Sequence, residues 1–270
     1  TGHHARSGHE GAEQGEPEIM QADLSGMLLE LLQWGCRDIS QMRWLDQPPP
    51  ASIAAATILL TQLGAIDPQG ALTAFGRQMA EVGSDPRLAA MIIYAKNQRA
   101  ECATTALLLS AIIEEPPRSG VRDIGYWLTH SQPQWNKRAR QLGQRLRISN
   151  ANVDADEVPF LLAVGYFDRI ARKRGEEGRY LLANGMGAQW DTEDGLCRCD
   201  WLVAASLLQG ANSPDARTLL ASVLDPEALA LRLPDLVRQQ SAIEWDEEKG
   251  TLRAWQRQQI GRLIFKAAPL

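Results

Sequence analysis

Apolar positions recur at helical spacing over the first part of this chain and at strand spacing after Gly178, and that change of period organises it. Leu24, Met27, Leu28, Leu31 and Leu32 form one stripe, with Asp23 placed to cap a helix and Gly35 to stop it. A short helix from Asp38 to Leu45 closes at Asp46-Gln47-Pro48-Pro49-Pro50. A third runs from about Ala51 to Leu63, with Ile53, Thr57 and Leu60 on one face and Gly64 as its stop. Ala65-Ile66, the turn Asp67-Pro68-Gln69-Gly70 and Ala71-Leu72 predict a small hairpin. Three helices and a hairpin amount to a winged helix.

Two helix starts follow. Thr73 can accept a backbone N–H bond, with Leu72 stapling the entry, and Asp85 caps a helix whose first position is Pro86. Leu88, Met91, Ile92 and Ala95 share a face of that helix. Ala100–Ile113 is apolar nearly all round (Ala103, Ala106, Leu107, Leu109, Ile112), as the centre of a bundle requires, and Pro116-Pro117 ends it. Helices over Asp123–Thr129 and Gln134–Leu146 come next. The second buries Trp135, Ala139, Leu142 and Leu146 and turns Lys137, Arg138, Arg140 and Arg145 the other way, with Arg147 just beyond; no acidic residue occurs from Ile124 to Val153. Such a face is either an anion-binding patch or simply solvated. Asp154 or Asp156 opens a helix carrying Phe160, Leu161, Val164, Phe167 and Ile170, which runs into the basic Arg169–Arg174.

Beyond Gly178, Tyr180–Ala183, Trp201–Leu208, Thr218–Val223, Ala242–Trp245, Thr251–Trp255 and Leu263–Phe265 suit a pleated sheet, interrupted by one helix from Pro226 to Leu233. Short strands with one inserted helix suggest a small barrel of the oligonucleotide-binding type, although a sandwich satisfies the same pattern. The fold class is therefore α+β: a flexible tail at 1–17, a winged helix at 18–73, a helical bundle at 74–174 and a small, mostly antiparallel, OB-like β-barrel at 175–270.

Composition narrows the chemistry. Hydrophobic residues make up 44% and charged residues 23%, with a net charge of −5, so nucleic acid could be held only by local patches. No apolar run is long enough to span a bilayer, so no membrane partner is expected and the cytoplasm is the expected location. Cys197 and Cys199 are the only close cysteines, and Cys-Arg-Cys is not zinc-knuckle spacing. No Gly-rich loop ends in Gly-Lys-Ser/Thr and there is no Asp-Glu-Ala-His. Catalytic, cofactor-binding and metal residues are accordingly expected to be absent, and the chain alone should not hydrolyse ATP. Trp190, Trp201, Trp245 and Trp255 can stack bases or fill cores.

The order Leu72-Thr73, Gly76-Arg77, Met79-Ala80, Asp85-Pro86-Arg87-Leu88 and Met91 resembles the junction between winged helix and helical bundle in DEAH-box RNA helicases, most closely the bacterial HrpB type. Asp168-Arg169-Ile170-Ala171, Tyr180–Ala188, Ile243–Asp246 and Ile260–Leu263 are similar to further motifs of that type, with Phe167 where proline is usual and Met186 where arginine is usual. The resemblance implies the accessory half of an ATP-dependent RNA helicase, with single-stranded RNA (or DNA) and the RecA-like motor domains, absent from this chain, as partners. ATP and Mg would be cofactors of the full-length helicase and not of this chain. It points to phosphate contacts from Arg77 and Arg87 at the junction, Arg169, Arg172, Lys173 and Arg174 where bundle meets barrel, and Arg179 and Asn184 at the barrel mouth. The rivals are a stand-alone winged-helix reader of duplex DNA and an interaction scaffold. The DNA-reading face would be Ala54, Ala55, Ala56, Thr61 and Gln62, which offers no cation to phosphate.

Overall fold

The computed structural model describes residues 18–36, 48–83, 85–118, 120–191, 194–209 and 215–269. The expected tail with its histidines, and the expected helix from Asp38 to Leu45, lie outside the described residues. Contacts divide the chain into two units, residues 1–111 with 133–154 and residues 112–132 with 155–270.

In the first unit, α1 (Glu18–Gln33) starts upstream of Asp23 because Glu, Met, Gln and Ala are good helix formers, and it buries Leu24, Leu28 and Leu29. Met27, expected in the stripe, is exposed. α2 (Pro50–Gln62) buries Ser52, Ala56, Leu59 and Leu60, a face rotated from the expected one. Gly64, at φ +85°, turns the chain into the bridge Ile66–Leu72, closed by Asp67 Oδ1 accepting from the N–H groups of Gln69 (3.0 Å) and Ala71 (2.9 Å). Thr73 caps α3 (Ala74–Val82) by accepting from Gly76 N–H at 2.9 Å, and its hydroxyl donates to Gly64 O at 2.6 Å. Asp85 caps α4 (Pro86–Lys96), accepting from Arg87 N–H at 2.9 Å, and Leu88, Met91, Ile92 and Ala95 are buried. α5 (Ala100–Glu114) and α7 (Pro133–Arg145) complete the bundle, α7 burying Trp135 and Leu142. Arg145, counted above among the exposed cations, donates to the carbonyls of Glu81 (2.7 Å) and Val82 and so closes the C-terminus of α3.

In the second unit, Asp123 caps α6 (Ile124–Thr129), and α8 (Val158–Gly165) gives way to a 3₁₀ turn, Phe167–Arg169. The basic run expected at a helix end then extends as a strand, β1 (Ile170–Lys173). β1 joins β2 (Arg179–Leu182), β3 (Gly187–Gln189), β4 (Trp201–Gln209) and β5 (Ala216–Val223) in a closed barrel of order β1-β2-β3-β5-β4, in which only β3 and β5 run parallel. Ala171, Tyr180, Leu182, Ala188, Trp190, Cys197, Leu202 and Ala221 fill its interior. Burial pushes the Tyr180 phenol above its ordinary range, and the neutral hydroxyl donates to Cys199 O at 2.6 Å, pinning the 195–199 turn. After α9 (Pro226–Arg232), the last three expected strands do not enter the barrel. β6 (Arg238–Asp246), β7 (Thr251–Ile260) and β8 (Leu263–Pro269) form a separate antiparallel meander. Gly261, at φ +56°, brings it against the barrel, where Arg262 N–H donates to Ala183 O at 2.9 Å.

Candidate nucleic-acid interface

Of the eight candidate contact residues, Arg77 and Arg87 belong to the first unit and six to the second. Arg77 is exposed on α3, whereas Arg87 is half-buried in the first turn of α4. Alternation along the four residues of β1 sorts the basic run. Ala171 faces the barrel interior and Arg172 faces out, opposite Leu181 on β2 and Trp201 on β4.

Arg172 is not a free cation. Its guanidinium lies over the Trp201 ring (5.5 Å to the centroid) and donates to Ile264 O, while Phe265 meets Trp201 edge-on at 6.3 Å. Together these tie the meander to the barrel wall. Arg169 is buried, 9% exposed, beside Tyr166. Its Nη1 donates to Ala205 O at 3.5 Å. Ala205 sits at a register shift, where β4 steps from Ala204↔Ala221 to Ser206↔Leu220, so the guanidinium serves a carbonyl that the bulge releases from the ladder. Arg169→Ala should therefore cost about 1.5–3 kcal/mol in a urea melt, the range for a hydrogen bond from a charged donor, and leave any RNA affinity at the parent value. A loss of RNA affinity with unchanged stability would move Arg169 back to the ligand.

The remaining candidates split between the two ends of β1. Asn184 is at its start: its N–H donates to Asp168 O at 3.2 Å, and its Oδ1 accepts from Met186 N–H at 2.9 Å. Lys173, Arg174 and Arg179 gather at the other end, around the turn into β2, where Arg174 N–H donates to Arg179 O at 2.9 Å. Both arginine side chains are exposed and loosely paired, Arg174 with Asp215 at 4.0 Å and Arg179 with Glu176 at 3.9 Å. Pairs this long contribute little, although Asp215 itself is only 13% exposed, and leave the exposed guanidinium groups open to a phosphate. The structure thus groups three candidates, encloses one, and commits another to the barrel wall.

The tryptophans separate as well. Trp190 lies in the barrel interior, and Trp201 lies under Arg172. Trp255 is half-buried beneath Arg253, at 4.2 Å, and Trp245 is 61% exposed. Burial raises the pKa of both Cys197 and Cys199 above the ordinary thiol value, and no group of three metal-ligating side chains occurs among the described residues. Among those residues no helix is long and apolar enough to cross a membrane.

Comparison with known proteins gives concordant matches. Residues 236–270 match the family model for the connector region of the ATP-dependent RNA helicase HrpB, and residues 56–82 match the winged-helix model of the helicase associated domain (HA2). The chain is similar to ATP-dependent RNA helicase HrpB of Escherichia coli (strain K12), with 52% identity over 96% of this chain and 32% of that protein. Two crystal structures are similar to it in three dimensions. The E. coli DExH-box NTPase HrpB superposes with a TM-score of 0.86 at 51% identity, over 95% of this chain and 31% of that one. The Escherichia coli DEAH/RHA helicase HrpB gives 0.83 at 48%, over 92% and 31%. This chain therefore spans about a third of the length of the relatives it matches.

Proposed function

Because this chain carries the helicase-associated winged helix and the connector of HrpB-type RNA helicases, we propose that it is an accessory, non-motor part of an ATP-dependent RNA helicase. In this reading it lines part of a single-stranded RNA channel and braces the motor. What carries the RNA half is the exposed Arg174 and Arg179, with the half-buried Lys173 beside them, at one end of an OB-like barrel. A barrel end with cations around it can hold phosphates without reading sequence. What supports the bracing half is the β6–β7 hairpin. Ile243 (73% exposed), Trp245 (61%) and Leu252 (68%) share one face, with Trp245 directly opposite Leu252. An apolar patch of this kind favours a protein partner, here the RecA-like domains.

ATP and magnesium do not fit the residues present. Cradling nucleotide phosphates takes a Gly-rich loop with Gly-Lys-Ser/Thr, and the sequence has none. Any nucleotide-driven step belongs to the motor, and this chain's part is to hold the strand.

The test is salt. Affinity for single-stranded RNA should fall as salt rises, with a log–log slope near −0.7 for each phosphate neutralised. Arg174→Ala with Arg179→Ala should flatten that slope by about one unit and barely change the melting temperature. Lys249→Ala, exposed in the turn between β6 and β7 and outside the cluster, is the comparison and should change neither. A folded double variant that keeps the parent's slope would remove the barrel end from the RNA path.

A further inference from the structure

In the first unit, α5, α7 and the segment after α7 enclose a cleft of about 380 Å³. Leu107 and Ile148 supply an apolar floor, and Asn136, Arg140, Gln144 and Asn150 line it with polar groups. No lining residue is acidic. Of the cations here Arg140 lines the cleft; helical spacing puts Lys137 one turn before it, and Arg147 lies just past the helix end, next to the lining Ile148. Unlike Arg145, which closes α3, these three are exposed and carry no ion pair or hydrogen bond from their side chains among the described residues.

Arg147 adds an independent oddity. It is the one non-glycine residue with positive φ (58°) among those described, placed where a helix end ordinarily takes glycine. Ile148 N–H donates to Gly143 O at 2.8 Å and closes the helix around it. A long cation held in a left-handed position next to the lining Ile148 is unexplained by packing, since its side chain is exposed.

We infer that this cleft binds one nucleotide of an RNA strand, base inside and flanking phosphates on Lys137, Arg140 and Arg147. The inference rests on the RNA reading above and extends it to a second, separate contact that discriminates between bases. The carboxamides of Asn136, Gln144 and Asn150 each present a donor and an acceptor, which match the edge of an unstacked base, while the floor accepts its flat apolar face. An acidic peptide fits less well, because a carboxylate in the cleft would lie over Leu107 and Ile148 with only Arg140 to meet it.

The test uses the whole chain and fluorescent homopolymeric RNA 12-mers of each base. Lys137→Ala with Arg140→Ala should remove two phosphate contacts, so the affinity lost between 50 and 200 mM salt should shrink by about sevenfold. Asn136→Leu should leave the salt slope alone and bring the four homopolymers to within about twofold of one another. If these variants are folded and behave as the parent while Arg174→Ala/Arg179→Ala flattens the slope, the cleft is excluded and the barrel reading stands. If the parent binds no RNA, both are overturned. Should Lys137→Ala/Arg140→Ala abolish capture of a Glu-rich peptide and leave RNA binding intact, the cleft belongs to an acidic protein partner instead.

Discussion

Replacing Gly76 by alanine should unfold the first unit more readily than the same change at Gly26 or Gly143, the other glycines in that unit's described helices. Gly76 sits in the first turn of α3, where Thr73 draws the helix start against the strand leaving Gly64. A Cβ there would stand 2.1 Å from Ala65 O and 2.9 Å from Leu72 Cδ1. The leucine tip can swing away. The carbonyl cannot, because it is backbone and already accepts Thr73 N–H at 2.9 Å, so the helix or the hairpin must move as a body. Overpacking of this kind costs about 3 kcal/mol or more, against which the better helix propensity of alanine returns about 1 kcal/mol at most. At about 2–4 °C per kcal/mol, a melting temperature lower by roughly 4–8 °C is expected. Gly195→Ala, where nothing lies within 4 Å of the added methyl, is the comparison and should melt like the parent. Equal melting of Gly76→Ala and Gly195→Ala would show that α3 does not press on the hairpin as described.

Features written in adjacent residues were legible in the sequence. Thr73, Asp85 and Asp123 cap where their spacing to the next apolar run places them, and Asp67-Pro68-Gln69-Gly70 makes its turn, because each signal and its hydrogen-bond partner lie within four residues. What depends on distant partners was not. Ile170-Ala171-Arg172-Lys173 reads as a helix tail because Phe167 and Ile170 fit a helical period, and only pairing with Tyr180–Leu182 and Trp201–Val203 makes it a strand. The parallel pairing of the short β3 with β5 has no local signature at all. Within the candidate interface, positive charge was legible and its employment was not. Arg145, Arg169 and Arg172 are engaged by carbonyls of Glu81, Ala205 and Ile264, and a backbone carbonyl carries no residue type by which to be recognised. Lys173 and Arg174 were visible within a charge run, whereas Arg179, beyond Gly175-Glu176-Glu177-Gly178, was indicated only by the family resemblance. That the three gather at one barrel end, apart from Asn184, follows from the length of β1.

Arg232→Ala should weaken the second unit by about 3 kcal/mol, through an ion pair the sequence did not disclose. Glu157, only 7% exposed, precedes α8, and Arg232 ends α9. The two meet in a fork, Nη1 donating to Oε1 at 3.2 Å and Nη2 to Oε2 at 2.5 Å, with the guanidinium over the Phe160 ring at 4.5 Å. The pairing is two-pronged, and the cation also sits at a helix C-terminus, where the dipole favours it. Cutting the arginine back takes the two-pronged partner from a buried carboxylate, and breaking a buried pair costs about 3–5 kcal/mol; the lower figure is apt because Arg232 itself is partly exposed. The melting temperature should fall by roughly 6–12 °C. The attraction itself is worth less than this loss, since both charges are desolvated to form it. Glu157→Leu combined with Arg232→Met should therefore recover much of the stability that Arg232→Ala removes, by filling the same space without a charge to bury. A double variant as unstable as Arg232→Ala would mean that the fork's geometry, and not the cost of burying the carboxylate's charge, decides how α8 is held to α9. An Arg232→Ala protein that melts with the parent would mean that Glu157 finds water without help.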